Sequence, residues 1–139
     1  YKRQVLVAAA EAGVRDLLLF GYHGKLIKLA GGIFHTHHHL ADGRLEVLTA
    51  LAVDQGLARA QLQQIRCAAS VEEAFQGLPP SEAERLGCAL AAAVEQRSQA
   101  YIVRYGNWPM RVGAGIFDRS RSVRWRGPVA EKRFFTLMD

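Results

Sequence analysis

The chain has 139 residues, half of them hydrophobic, and carries a formal charge of +5 at pH 7. This length and composition predict one globular domain with its own core. No apolar run approaches the roughly 18 residues that span a bilayer, and the amino end lacks a signal-peptide pattern, so we expect no membrane association and a cytoplasmic location. The positive charge favours an anionic partner, which can be nucleic acid, a phosphate compound or a polycarboxylate.

The first elements are a helix, a strand and a short helix. Residues 2–12 predict a helix that ends at Gly13. The continuous apolar run at residues 16–20 predicts a strand buried on both faces, as in a parallel sheet, and such sheets bind ligands at their carboxyl ends. A short helix follows, because Leu26, Leu29, Ala30 and Ile33 form one apolar stripe.

Several helices and then two strands complete the pattern. We predict a helix from Asp42, as its N-cap, to Gly56, and another through Leu62, Ile65 and Ala69. Ser70 with Glu73 and Ser81 with Glu84 have the capping-box spacing of helix starts. The longest helix follows Pro79-Pro80 and breaks at residues 106–109, before strands at 112–117 and 123–125.

These elements predict an α/β fold with a small, mainly parallel sheet flanked by helices. Residues 1–139 would form a single domain, with residues 110–139 as a basic tail that contains strands. Such a small sheet has exposed edges, and the chain starts at Tyr1, so we expect the chain to be a fragment of a longer protein. An open edge also allows a homodimer. Cys67 and Cys88 lack metal-ligand spacing and are predicted to be free, buried thiols.

The residues behind the first strand carry the chemistry. The glycines of Gly21-Tyr22-His23-Gly24-Lys25 predict a turn that presents backbone N–H groups to an anion. Lys25 and Lys28 are three residues apart on one helix face, which suits a wide anion better than a single phosphate. The two standard phosphate-binding glycine motifs are absent. The alternative is an ordinary strand-to-helix turn with solvated lysines.

Two other kinds of site remain open. The cluster of His35, His37, His38 and His39, with Asp42 as an oxygen ligand, can hold Zn²⁺ or Ni²⁺, which would make the chain a stand-alone metal-binding module. Its spacing lacks the helical pair of zinc enzymes. Nucleic-acid binding ranks third, through Trp125 between two arginines of the tail.

The motif resembles one family. Residues 21–30, followed by Thr36-His37 and by Ala41-Asp42-Gly43-Arg44-Leu45-Glu46, resemble the carboxyl-terminal signature of the CbiD family, the cobalt-precorrin-5B C1-methyltransferases of anaerobic cobalamin biosynthesis. The resemblance is strongest over residues 13–50 and continues to about Phe117. It implies that the chain is the carboxyl-terminal domain of a larger two-domain protein, with a stand-alone corrinoid-binding module as the alternative. It implies methyl transfer from S-adenosylmethionine to a ring carbon of cobalt-precorrin-5B, a polycarboxylate tetrapyrrole, with cobalt present only as part of the substrate.

The resemblance also implies a set of site residues. His37 would orient the macrocycle or accept a proton, and Asp42 would fix the imidazole tautomer or offset the sulfonium charge. The positive side chains of the motif fit the carboxylates of a corrinoid. The residues expected to bind substrate or cofactor are Gly21, His23, Gly24, Lys25, Lys28, Thr36, Arg44 and Glu46.

Overall fold

The structure is a computed structural model that describes residues 2–34 and 42–135. Its elements are, in chain order, α1 (Lys2–Glu11), β1 (Asp16–Tyr22), α2 (His23–Ala30), α3 (Arg44–Asp54), α4 (Arg59–Cys67), α5 (Val71–Gln76), α6 (Pro80–Val103), β2 (Arg111–Phe117), β3 (Val123–Arg126), α7 (Pro128–Ala130) and a π-helical segment (Glu131–Phe135). A three-stranded sheet packs against helices, which confirms the predicted α/β class.

The sheet has the order β1-β2-β3 and is mixed. β1 pairs with β2 in parallel from Asp16↔Arg111 to Tyr22↔Phe117, and β3 pairs with β2 antiparallel. A parallel pair needs a crossover connection, which helices α2 to α6 supply here. The prediction that β1 is buried on both faces is wrong, because β1 is an edge strand in the described part of the chain and Phe20 is 54% exposed. The central strand β2 has the buried character instead.

Helix α6 organises the core. Its 24 residues place Leu86, Leu90, Val94 and Ile102 in one buried stripe, with the period expected of a helix that lies across a sheet. Cys88 lies two residues from Leu86, about 200° around the helix, and is therefore exposed. Both cysteines are free, as predicted, but both are exposed, which corrects the expectation of buried thiols.

A buried carboxylate joins α6 to the end of the chain. Glu95 is 3% exposed, and its side chain accepts hydrogen bonds from the backbone N–H groups of Ala114 at 2.9 Å, Val129 at 2.9 Å and Ala130 at 2.8 Å. These bonds satisfy both the charge and three backbone donors that would otherwise be costly to bury. Glu95 thereby fixes β2 and α7 against the long helix.

One of the two predicted capping boxes is half formed. Ser70 Oγ accepts from the Glu73 N–H at 3.1 Å, which confirms Ser70 as the N-cap of α5, but the Glu73 side chain accepts from the Ala69 N–H and not from the Ser70 N–H. The second is wrong, because α6 already begins at Pro80, where proline is favoured at the first helical position. Ser81 therefore lies inside the first turn, and Glu84 accepts instead from Trp125 Nε1 at 3.1 Å.

No helix in the described ranges, 2–34 and 42–135, is long and apolar enough to cross a membrane.

Candidate functional site

The carboxyl ends of the two parallel strands meet at one edge of the sheet. Tyr22 ends β1 and is in register with Phe117, which ends β2. His23 and Asp118 follow them directly in the chain, so they emerge at the same edge. Ligands of open α/β sheets bind in this position, outside the carboxyl ends of the strands. The topology therefore identifies this edge as the candidate site.

Glu72, in the first turn of α5, lies at the centre of this edge. Its Oε1 is 3.5 Å from the Tyr22 hydroxyl, 3.5 Å from His23 Nε2 and 3.8 Å from Arg119 Nε. The Glu72 side chain is only 13% exposed. Strong hydrogen bonds to a carboxylate are about 2.7–2.9 Å long, so these three contacts surround Glu72 without satisfying it fully.

His23 packs in an aromatic environment behind Glu72. Its ring lies 4.2 Å from that of Tyr22 and 5.6 Å from that of Phe75, measured between centroids, and the residue is 1% exposed. Among the described residues neither ring nitrogen has a hydrogen-bond partner. Burial lowers the pKa of His23 below its ordinary value, and the nearby Glu72 carboxylate only partly opposes this effect. His23 is therefore neutral near pH 7.

A polar cavity of about 250 Å³ opens beside Glu72. Asp118 contributes to it, and its carboxylate accepts from Ser120 Oγ at 2.6 Å and from Arg124 Nη1 at 3.0 Å. Burial alone would raise the pKa of Asp118, but these bonds outweigh it and lower the pKa. The cavity is lined by Glu72, Phe75, Gln76, Ala83, Asp118, Arg124 and Trp125. Carboxylates, a guanidinium and aromatic rings are thus combined in one recess.

An apolar groove of about 410 Å³ lies on the other side of Tyr22. The Phe20 and Phe117 rings, 5.2 Å apart between centroids, form part of its surface, and the exposed Lys25 adds a positive charge. The groove is lined by Val5, Leu6, Leu19, Phe20, Gly21, Tyr22, Lys25, Leu26, Leu29 and Phe117. Because Tyr22 lines the groove and Glu72 lines the cavity, the two recesses are adjacent at the contact between these two residues.

Four of the predicted binding residues lie at the amino end of α2, next to this edge. β1 passes directly into α2 at His23, so the predicted glycine turn is absent. A Cβ on Gly21 would lie 3.2 Å from Leu26 Cγ, and one on Gly24 would lie 3.2 Å from Tyr22 Cε2. The two glycines therefore permit close packing, and Lys25 is the exposed cation of this group.

Other predicted residues lie at the opposite end of α2. Asp42 accepts from Arg44 Nε at 2.6 Å and from Arg44 Nη2 at 3.0 Å. Hydrogen bonding from Arg44 lowers the pKa of Asp42, and the charge of Lys28 adds to the effect. Asp42 is not the predicted N-cap of α3, because its carboxylate is engaged by Arg44 and Gly43, at a φ of 72°, occupies that position.

Lys28 and Glu46 differ in their exposure. Lys28 is 3% exposed, and its Nζ has no hydrogen-bond partner among the described residues, which is unusual for an ammonium group. Glu46 is exposed and lines a recess of about 330 Å³ together with Arg97. The structure thus divides the predicted site residues between the two ends of α2.

Thr36, His37 and the rest of the histidine cluster at residues 35–39 lie outside the described residues. Within residues 2–34 and 42–135, no group of three or more histidine, cysteine, aspartate or glutamate side chains is placed to hold a metal ion. That the histidine cluster binds a metal ion stays a prediction.

Trp125 does not fit the nucleic-acid hypothesis. It is 2% exposed, stacks on Phe75 at 4.6 Å between centroids, and so cannot stack on a base. The flanking residues Arg124 and Arg126 are bonded to Asp118 and Glu131. Alternation along β3 turns the tryptophan toward α5 and α6, and this burial corrects the sequence-based prediction.

Sequence reasoning did not identify Glu72, Asp118 and Arg119 as site residues, and it considered Arg124 only beside Trp125 in the nucleic-acid hypothesis. Asp118 could have been predicted from the sequence, because it directly follows a strand that a parallel pairing would place beside β1. Glu72 had none, since a carboxylate in the first turn of a helix is equally explained by the helix dipole.

A family model described as "CbiD, C-terminal domain" matches residues 35–128. Three similar curated relatives bear the name cobalt-precorrin-5B C(1)-methyltransferase. They come from Synechococcus sp. (strain CC9605), 75% identical over 97% of this chain; Parasynechococcus marenigrum (strain WH8102), 73% over 97%; and Prochlorococcus marinus (strain MIT 9303), 56% over 96%. The alignments cover 37%, 38% and 35% of these relatives, so the chain spans little more than a third of their length.

No solved structure shows significant similarity to the chain. The family match covers most of the chain and continues beyond Phe117, where the resemblance in the sequence was expected to end. The chain therefore belongs to the CbiD family, in which it corresponds to the C-terminal domain.

Proposed function

We propose that this chain is part of an enzyme that transfers a methyl group from S-adenosylmethionine to C1 of cobalt-precorrin-5B in anaerobic cobalamin biosynthesis. The observation that carries the proposal is 75% identity, over 97% of the chain, to a relative of that name. Cobalt enters only as part of the substrate. The edge formed by Tyr22, Glu72 and Phe117 supports the proposal, because two recesses of different polarity meet there.

The apolar groove suits the edge of the macrocycle. A corrinoid precursor combines a broad apolar ring with peripheral acetate and propionate groups. Phe20, Leu26 and Phe117 offer an apolar surface to such a ring, and Lys25 can form a charge-assisted hydrogen bond with a carboxylate at its rim. The net charge of +5 complements a polycarboxylate.

The other end of α2 would hold a second part of the substrate. Lys28 lies five residues after His23, about 7.5 Å along the helix axis, which is within the span of a macrocycle. Its buried ammonium, together with Arg44, favours negative charge near Asp42. Thr36 and Glu46 remain proposed binding residues by their match to the family motif.

The proposed reaction needs alignment more than it needs a reactive group on the protein. The bond between sulfur and the methyl carbon breaks as the bond to the ring carbon forms, and the neutral thioether leaves. Such an in-line displacement is accelerated by holding donor and acceptor together and by excluding water. His37 and Asp42 are the proposed catalytic residues: His37 would orient the macrocycle or accept a proton, and Asp42 would fix the imidazole tautomer or offset the sulfonium charge.

Titration of the full-length protein with a carboxylated corrinoid tests the assignment of the groove. Lys25→Glu should weaken binding roughly tenfold or more, because it replaces an attraction by a repulsion. Lys132→Glu changes charge equally at an exposed position in the π-helical segment and serves as the control. Equal affinities for Lys25→Glu and the unchanged protein would exclude the groove as the corrinoid site.

A further inference from the structure

The Glu72 carboxylate in the polar cavity has no short hydrogen bond among the described residues. Glu72 is largely buried, lines the cavity, and has no described contact shorter than 3.5 Å. His23, 1% exposed and unpartnered at both nitrogens among the described residues, lies directly behind it. A buried carboxylate normally has short hydrogen bonds, whereas the hydrogen bond that Glu72 Oε1 accepts from the Tyr22 hydroxyl is 3.5 Å long, so a ligand in the cavity can supply a further donor.

We infer that this cavity binds the amino acid end of the methyl donor, whose α-ammonium group donates to Glu72. The inference rests on the proposed function, since it names the ligand of the same sheet edge. An ammonium group matches a carboxylate that has only long contacts to Tyr22, His23 and Arg119. Neutral His23 adds no competing positive charge.

The rest of the lining fits the other groups of a zwitterionic amino acid. Arg124 provides a guanidinium with several N–H donors, of which Nη1 is bonded to Asp118, so it can also bind an α-carboxylate. Gln76 adds an amide. With about 250 Å³, the cavity is smaller than the usual pocket for a complete drug-sized ligand, so it suits one end of a longer molecule.

The position of Tyr22 indicates where the sulfonium and the methyl group of the methyl donor would lie. A molecule whose amino acid end contacts Glu72 can pass its sulfonium beside the Tyr22 ring, where a cation is favoured. Tyr22 also lines the apolar groove, so the methyl group would face the proposed macrocycle site. Stacking of the adenine on Trp125 is not available as an alternative, because that ring is 2% exposed.

Calorimetric titration of the full-length protein with two ligands tests the inference. S-adenosylmethionine has the amino acid end, whereas 5′-methylthioadenosine lacks it. Glu72→Gln should weaken binding of S-adenosylmethionine roughly tenfold or more and change that of methylthioadenosine less than about twofold, because only the first ligand places an ammonium on the carboxylate. Glu11→Gln, which neutralises an exposed carboxylate on α1, should change neither affinity.

A second variant distinguishes loss of the Glu72 charge from a folding defect. Glu72→Asp keeps the charge but shortens the side chain, and it should show the same selectivity for the two ligands with a smaller loss. If S-adenosylmethionine binds but Glu72→Gln leaves its affinity unchanged, or weakens both ligands equally, the inference is wrong while the proposed function stands. If the unchanged protein binds no S-adenosylmethionine, the proposed methyl donor is wrong as well.

Discussion

His23 Nε2 lies 3.5 Å from Glu72 Oε1, yet this contact does not keep the imidazole charged. Burial lowers the pKa of His23 more than the carboxylates of Glu72 and Asp118 raise it, and Arg119 acts in the same direction as burial. The neutral ring packs against Tyr22 and Phe75. Protonation must therefore destabilise the native state at this point of the sheet edge.

We expect the stability of the 139-residue chain to depend on pH through His23. The pKa is lower in the folded state than the ordinary value of 6.5, so below that pH the unfolded state binds more protons. The contribution of His23 is complete above about pH 6.5 and falls as the pH drops from there to the folded pKa. Urea unfolding between pH 5 and about pH 8 measures this slope.

The variant His23→Leu isolates the effect. It removes the titrating group and leaves an apolar side chain in the aromatic environment, so the difference in unfolding free energy between variant and parent should change across this pH window. A constant difference at every pH would show that His23 has the same pKa in both states, contrary to the burial described above.

Lys28→Met should stabilise the chain while weakening corrinoid binding. Methionine keeps much of the side-chain length, and it removes an ammonium that is 3% exposed and unpartnered among the described residues. A buried polar group without a partner costs about 1–3 kcal/mol, which is the expected order of the gain. Urea unfolding of the 139-residue chain gives the stability, and corrinoid titration of the full-length protein gives the affinity.

The combination of results is what identifies a binding residue. A side chain that reduces stability but improves binding is typical of functional sites. If Lys28→Met reduces stability instead, its ammonium is paired in the native state and the proposed role in substrate binding loses its support.

The sequence predicted which segments form helices and strands better than it predicted how deeply those segments are buried. The apolar run at residues 16–20 was correctly recognised as a strand, but the run alone does not reveal whether a strand is central or at an edge. That depends on β2, almost a hundred residues later, which takes the central position and the buried face contacts. The basic tail gave a similar error, because burial of Trp125 depends on Phe75 and Glu84 in distant helices.

The sequence predicted only those parts of the site whose residues are adjacent in the chain. Residues 21–25 were found because glycine, histidine and lysine follow a strand directly. The sequence did not predict that residues 21–25 and the pair Asp42 and Arg44 lie at opposite ends of α2. This separation arises because α2 begins at His23 and lies between the two groups. Glu72 reaches the sheet edge only through the packing of α5 on α2, which no short-range pattern encodes.

His37→Ala and Asp42→Asn test the proposed catalytic pair. Asp42 is 61% exposed, and exposed ion pairs contribute at most about 1 kcal/mol, so loss of its bond to Arg44 should hardly affect stability. In the full-length protein each change should lower the rate of the proposed methyl transfer, by roughly a hundredfold if the residue moves a proton. Melting curves that match those of the parent protein would show that the fold is intact. Unchanged turnover in either variant would remove that residue from the proposal.

Gly87→Ala should be strongly destabilising, although glycine to alanine in a helix interior ordinarily stabilises by about 1 kcal/mol. Gly87 lies within α6, and a Cβ at this position would be 2.0 Å from Trp125 Cε2. The indole is held by its bond to Glu84 and by stacking on Phe75, so it cannot move without disturbing the lining of the polar cavity.

Overpacking of this kind costs about 1–3 kcal/mol, measurable as a lower urea midpoint of the 139-residue chain. Cys88→Ala changes the neighbouring, exposed position of the same helix and is the matched control, which should leave the midpoint almost unchanged. Because Trp125 and Phe75 both line the polar cavity, Gly87→Ala in the full-length protein should also weaken binding of S-adenosylmethionine. A midpoint equal to that of the parent chain would mean that α6 and β3 pack less closely than the structure shows, and the cavity beside Glu72 would then have a different shape.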